Sequence, residues 1–261
     1  MTAKTITKGS IARAAQILDA LAASADGKSL SEIARITSFS KTTVHRVLAS
    51  LIDVGFVVRE PQSRSYRLGS ILAEIGRAAA QQEVSALSGP ILRRLAEYSS
   101  DTVFMSIPEG SASVCIERMV GSFPIRTLTL DRGDRRPLGV GAGSLALYCV
   151  MPEPVRRTVC QQNREWMDEF GDFNWTMLEA CRDQYLELGY ALNRGGVIPG
   201  MSAVAVPVLT RSGRAAAALT IAAINERMTD DRIEAELVPA LKQEAKKLSQ
   251  ALSGQLSKAG N

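Results

Sequence analysis

The chain is poor in the side chains that most catalytic and metal-binding sites need. Its 261 residues include one histidine, His45, and four cysteines, Cys115, Cys149, Cys160 and Cys181, with no C-x-x-C spacing among them. A Ser/His/Asp triad must use His45 or fail, and a two-histidine metal site cannot be built. Isolated thiols give neither a disulfide framework nor a zinc knuckle. No cofactor and no metal are expected. Long apolar runs are missing too: the longest lie around Ala203–Leu209 and Ala215–Ile224, well short of the roughly 18–20 residues of a membrane span. Met1 to Ser10 are polar, carry Lys4 and Lys8, and lack the apolar stretch and cleavage site of a secretory leader. The expectation is a cytoplasmic protein with no membrane partner.

What is present fits a globular chain of one large or two ordinary domains, with 46% apolar and 22% charged residues. The charge is unevenly placed. Residues 1–70 hold ten basic against five acidic side chains, a balance of +5, which leaves −1 for the rest of a chain whose total is +4. A basic segment joined to a near-neutral one suggests a polyanion-binding head on a body with another task.

The head has the periodicity of three helices and a hairpin. Ile11, Ala14, Ala15, Leu18 and Leu21 fall at helical spacing before Asp26-Gly27. Ser29-Leu30-Ser31-Glu32 has the spacing of a capping box and opens a short second helix ending near Thr37. Ser38-Phe39-Ser40 is a turn, with Ser38 where glycine is usual, and Ser40 is an N-cap for a third helix from Lys41 to Asp53. There Val44, Val47, Leu48 and Leu51 form one face, and Lys41, Thr42, Thr43, His45, Arg46 and Ser50 the other. Two short helices joined by so tight a turn read as a helix-turn-helix. Phe56–Arg59 and Ser65–Leu68 flank a polar, Pro61-containing loop and read as the hairpin of a wing. In a major groove, Lys41, Thr42, Thr43 and Arg46 reach base edges and phosphates, joined by Ser40 and His45, while Arg13 and the wing residues Ser63 and Arg64 hold the DNA backbone. The competing reading is a winged domain whose charged face serves protein contacts.

These segments resemble the successive head motifs of the IclR family of bacterial transcriptional regulators. The carriers are Ser10-Ile11-Ala12-Arg13-Ala14, Leu30-Ser31-Glu32-Ile33-Ala34, Lys41 to Leu48, Gly55-Phe56-Val57 and Tyr66-Arg67-Leu68-Gly69. Cys115-Ile116-Glu117-Arg118, Pro137-Leu138 before Gly141-Ala142-Gly143, Gly189-Tyr190-Ala191 and Ala203 to Val208 are similar to that family's sensor-domain motifs, so the resemblance spans nearly the whole chain. It implies an α+β protein: a winged helix-turn-helix domain over 1–69, a linker helix over 70–87, and a GAF-like effector-binding domain over 88–261.

Read by its own pattern, the body gives a similar outline. A helix is expected over Ser70–Leu87, punctuation at Gly89-Pro90, and a helix over Ile91–Tyr98. Strands are expected over Thr102–Ile107, Ser113–Met119 and Pro124–Leu130, and helices over Ser144–Met151, Pro154–Arg164 and Trp175–Leu188. A hairpin of Met201–Leu209 with Arg214–Ala223 and a long helix over Asp231–Leu252 complete an α+β body. The loop Gly139-Val140-Gly141-Ala142-Gly143-Ser144 precedes a helix, which suits either amides aimed at a carboxylate or tight helix–strand packing. The family resemblance implies an effector pocket of Thr127, Ala142, Gly143, Asn193, Met201, Ala203, Thr220 and Ala222. Where many members carry acidic residues and a cysteine, this chain has Asn193-Arg194-Gly195-Gly196 and Ala203, which makes the pocket less acidic. Arg194 reads either as a carboxylate partner or as an exposed loop residue, Met201 as core or ligand wall, and Arg126 as an ion-pair partner of a neighbour such as Glu117.

Together these readings give a DNA-binding regulator of catabolic genes, a dimer or dimer of dimers on double-stranded operator DNA. Its effector is a small organic acid, aromatic acids included. The alternative is a metabolic enzyme with an appended nucleic-acid-binding module, which would have to work through Ser144, Cys149 or Cys160 without a nearby histidine. A third reading, a nucleoid-type binder, predicts salt-sensitive binding without site preference.

Overall fold

The computed structural model describes residues 9–24, 26–171 and 173–258. Lys4 and Lys8 of the basic segment lie outside them, as do residues 259–261 of the expected second domain. The chain forms two compact units divided between Ala79 and Ala80.

The first unit contains helices α1 (Ser10–Ala22), α2 (Leu30–Thr37) and α3 (Lys41–Asp53) and the antiparallel strands β1 (Val57–Arg59) and β2 (Tyr66–Leu68). The capping box before α2 is formed: Ser29 N–H donates to Glu32 Oε2 at 2.8 Å, and Glu32 N–H donates to Ser29 Oγ at 3.3 Å. Ser38 ends α2 in the left-handed region at φ 58°, the conformation that glycine adopts with less strain. Ser40 then caps α3, accepting from Thr43 N–H at 3.2 Å. Ile17, Leu21, Ile33, Val44, Leu48, Leu51, Val57 and Tyr66 bury together, at least one from every element of the head. Gly69 closes the wing because its Cα passes over the Gly55 carbonyl, where a Cβ would lie 1.9 Å from the oxygen.

In the second unit an antiparallel sheet of six strands runs in the order β5-β4-β3-β8-β7-β6. The strands are β3 (Thr102–Glu109), β4 (Ala112–Met119), β5 (Arg135–Pro137), β6 (Ala191–Arg194), β7 (Met201–Leu209) and β8 (Ala215–Ile224). The two-residue period of a strand sorts its side chains between two helical layers. Val103, Met105, Ile107, Val204, Val206, Val208, Leu219 and Ile221 face a core shared with Val84, Leu92 and Leu95 of α4 (Ile71–Ser99) and with Leu241 and Leu248 of the C-terminal helix α9 (Val238–Lys258). Ala205 and Ala218, of opposite parity, belong to a second core with α5 (Ala142–Cys149), α6 (Glu153–Gln162), α7 (Arg164–Asp168) and α8 (Trp175–Leu188). These helices on two faces of an antiparallel sheet make the body α+β.

Three expectations need correction. Gly89-Pro90 does not break the helix: α4 continues through Pro90, since Ile91, Leu92 and Leu95 are buried beyond it and their packing outweighs the lost backbone bond. Pro124–Leu130 is not a strand. Of its residues only Thr127 is fully buried, Thr129 and Leu130 are half-buried, Ile125 and Leu128 stay exposed, and the edge of β4 pairs with β5 instead. The long C-terminal helix does not start cleanly at Asp231: a short turn, Asp230–Arg232, and a π-helical stretch, Ile233–Leu237, precede α9.

Candidate nucleic-acid interface and ligand cavity

On α3 the sequence sorts residues by face, and the structure shows the result. Val44, Leu48 and Leu51 are buried, while Lys41, Thr42, His45, Arg46 and Ser50 are exposed. Thr43 is half-buried, and its hydroxyl lies 2.9 Å from Ser40 Oγ at the cap. On the wing, Ser63 and Arg64 are exposed at the tip; Arg64 holds φ 56°, and its N–H donates to Glu60 O at 3.0 Å. Arg67 at the base of the wing pairs with Glu60 and is thus partly neutralised. Arg13 is half-buried on α1. The exposed polar groups of α3 are two cations, hydroxyls and the His45 imidazole, and only Asp53, at its last residue, is acidic. A polyanion meets no like charge along the first two turns.

In the body, the sheet face of Phe104, Ala203, Thr220 and Ala222 lies opposite the glycine-rich start of α5, and a cavity opens between them. Register explains the grouping: Phe104 is paired with Thr220 and Ala203 with Ala222, so all four project from one face. Thr127, Ala142, Gly143, Asn193, Met201, Ala203, Thr220 and Ala222 all stand in the cavity wall. The cavity has a volume of about 60 Å³, enough for at most a few waters, since a water takes up roughly 30 Å³ in the liquid. Gly143 permits the close approach of α5 to the sheet, since a Cβ there would lie 2.5 Å from Thr220 Oγ1. No side chain caps α5, and its first amide to find a backbone carbonyl is that of Leu145, at 2.8 Å from Gly141 O. The amides before it face the cavity end of the helix with the positive side of its dipole. Thr220 Oγ1 is buried without a hydrogen-bond partner among the described residues. Thr127 Oγ1 donates to Met201 Sδ at 3.4 Å, which makes Met201 a half-buried wall residue.

Other expectations resolve differently. Arg194 ends β6, outside the cavity wall, and is bound to Met228 O at 2.9 Å and to the Asp230 carboxylate. It is neither a loose loop residue nor a ligand anchor. Arg126 is exposed and makes no ion pair with Glu117, whose Oε1 accepts from Arg118 N–H at 3.2 Å. The arginine that does reach the cavity is Arg136, which sequence reasoning missed. Its signal is its place on the run leading into the Gly139–Ser144 loop, which the alternation of Pro124–Leu130 outcompetes as a strand pattern.

The groups an enzyme would use are committed elsewhere. Ser144 Oγ donates to Pro137 O at 2.8 Å and accepts from Gly139 N–H at 3.1 Å, a structural clasp. Burial pushes the Cys149 thiol up to about 12 and lifts that of Cys160 as well, which leaves little thiolate. Among the described residues no group of histidine, cysteine or carboxylate side chains is disposed to hold a metal ion.

A helix-turn-helix with a wing, its third helix exposing a cationic face, is the architecture of a DNA-binding transcriptional regulator. Residues 10–61 match the IclR helix-turn-helix domain, and residues 76–250 match the family described as bacterial transcriptional regulator IclR C-terminal. The chain belongs to the IclR family. Similar curated proteins include the HTH-type transcriptional regulator BhcR of Paracoccus denitrificans, 29% identical over 85% of this chain and 80% of that protein. The HTH-type transcriptional repressor AllR of Escherichia coli is 27% identical over 87% and 84%. Among solved structures, an IclR-family regulator from Rhodococcus superposes with a TM-score of 0.69 at 23% identity, covering 96% of this chain and 97% of that one. The Thermotoga maritima IclR does so with a TM-score of 0.59 at 21% identity, covering 93% and 98%. At that identity the structures show the shared fold. The enzyme alternative is overturned by this membership.

Proposed function

We propose that this regulator reads operator DNA with α3 and responds to a small organic acid bound in the cavity between α5 and the sheet. The observation that carries the DNA half is the division of α3 into a buried apolar face and an exposed face bearing Lys41, Thr42, His45 and Arg46. Arg46 and Thr42 contribute base readout; Lys41, Arg13, Ser63 and Arg64 contribute phosphate contacts, with Ser40 and Thr43 holding the start of the helix in register. The cavity half rests on uncapped amides at α5, the unpartnered Thr220 hydroxyl and a volume of a few waters, which favours a short aliphatic acid over an aromatic one. Binding alters transcription only through unequal affinity for DNA-competent and DNA-incompetent states, and α4, whose residues run from the first unit into the second, is the covalent route between them. The working form is a dimer or dimer of dimers in the cytoplasm, acting on catabolic genes, with half-sites about one helical turn, roughly 34 Å, apart or a multiple of it.

The test is fluorescence anisotropy of the full chain on fragments upstream of its own and neighbouring genes, against random duplex, with and without short organic acids. One fragment should be preferred over random DNA by about 1,000-fold or more, and an acid should change that preference. Equal binding to every duplex contradicts the reading and favours a nucleoid-type role.

A further inference from the structure

Among the described residues, Arg136 is the one charged residue in the cavity wall. It is half-buried; Nη2 donates to Thr129 O at 3.0 Å, and the guanidinium carbon lies 6.0 Å from the centre of the Phe170 ring. Of the nearby carboxylates in sequence, Asp131 pairs with Arg118, and Asp134, whose charge reaches Arg136 without an ion pair to it, accepts from Asp131 N–H at 2.6 Å. Arg136 makes no ion pair among the described residues, and desolvation pulls its pKa below the usual guanidinium range, partly offset by the charge of Asp134. It nonetheless stays protonated. A half-buried cation held by one carbonyl and no ion pair is costly unless something anionic meets it. Nη1 lies 3.0 Å from the point that a Cβ on Gly141 would occupy, so the charge rests on the backbone that opens α5, beside its uncapped amides. Thr220, 6% exposed, adds from the sheet a hydroxyl, packed towards Gly143, with no partner among the described residues.

We propose that Arg136 selects the ligand by charge, and that the ligand is a small monocarboxylate bearing a hydroxyl or oxo group. Its carboxylate lies on the Arg136 guanidinium and the first amides of α5, and its second oxygen meets Thr220 Oγ1. The assignment rests on reading the cavity as the effector site. One cation matches one carboxylate. A second carboxylate would be desolvated against Phe104, Leu130, Val140 and Val197 without a counter-charge.

The experiment is thermal melting and calorimetric titration of the full chain with lactate, 3-hydroxybutyrate and 2-oxobutyrate, against lactamide and malate. At least one monocarboxylate should raise the melting temperature, with lactamide and malate giving no comparable shift. Arg136→Gln should weaken Kd for that acid by about 10- to 100-fold, and Arg136→Lys should recover part of the loss. Unchanged Kd in Arg136→Gln overturns the Arg136 assignment and leaves the cavity standing as the effector site. If Arg136→Gln does not fold, the native chain decides: lactamide binding as tightly as lactate overturns the proposal. Tighter binding of malate than of any monocarboxylate overturns the single-charge rule. Failure of the native chain to respond to every acid overturns the reading of the cavity itself.

Discussion

At the scale of single residues, a buried polar atom without a partner is a liability to stability, and Thr220 Oγ1 is such an atom. Thr220→Val keeps the shape and deletes the orphan, so the ligand-free protein should gain up to about 1 kcal/mol, read from denaturant midpoints. A loss of similar size would mean that the hydroxyl is paired within the protein. Gly143 tells the same story from the facing side, because any Cβ there drives into that hydroxyl. The thiols offer a second residue-level test. Burial raises the Cys115 pKa to about 11 and that of Cys149 to about 12, so in the native state at pH 8 both should react with a disulfide reagent roughly 100-fold or more slowly than in the unfolded chain. Rapid native-state labelling of Cys149 would contradict the packing of α5. Residue-scale chemistry was the hardest to read from sequence: Thr127 and Met201 are 74 positions apart, and nothing in either neighbourhood announces their contact. Arg136 was hidden for the same reason, since its lack of an acidic partner is a fact of packing.

At the scale of elements, local patterns carry more. The capping box at Ser29, the cap at Ser40 and the apolar stripe of α3 are set by residues three or four apart, and each forms as its spacing demands. Gly89-Pro90 and Pro124–Leu130 misled because their fate depends on distant partners, the buried run Ile91–Leu95 in one case and the β4 edge in the other. The two faces of α3 should also separate by mutation. Leu48→Ala empties a site in the head core and should cost about 2–5 kcal/mol, seen in the melting of the head. Arg46→Ala and Arg64→Ala should leave melting nearly unchanged. Arg46→Ala should erode the preference for cognate over random duplex, whereas Arg64→Ala should lower affinity on both and reduce the salt slope by about one. Equal losses on both duplexes for Arg46→Ala would place it on the phosphate backbone.

At the scale of the whole molecule, acid stability follows from the ion pairs that tie the helices together. Arg156, almost wholly buried, holds Glu179 through bonds of 2.8 and 2.6 Å, and Tyr148 adds its hydroxyl at 3.0 Å. The Arg156 bonds hold the Glu179 carboxyl below its ordinary range, with burial opposing and Tyr148 assisting. A lowered folded-state pKa stabilises the fold above the ordinary carboxylate value and loses that contribution as pH falls through the lowered one. Glu179→Gln should therefore lower the melting temperature at neutral pH and flatten its acid decline; an acid limb of unchanged slope would show that other carboxylates govern it. The division of labour between a basic head and a near-neutral body is already visible in the charge count, because it depends on composition and not on contacts.

Regulation by this chain depends most directly on α3 presenting its polar face to DNA. The measurement is a titration of the native chain and of a Lys41→Ala/Thr42→Ala/Arg46→Ala variant on the preferred upstream fragment, with melting curves run in parallel. The variant should keep its fold and lose about 100-fold or more in affinity for that fragment. Full affinity in a folded variant would contradict that dependence.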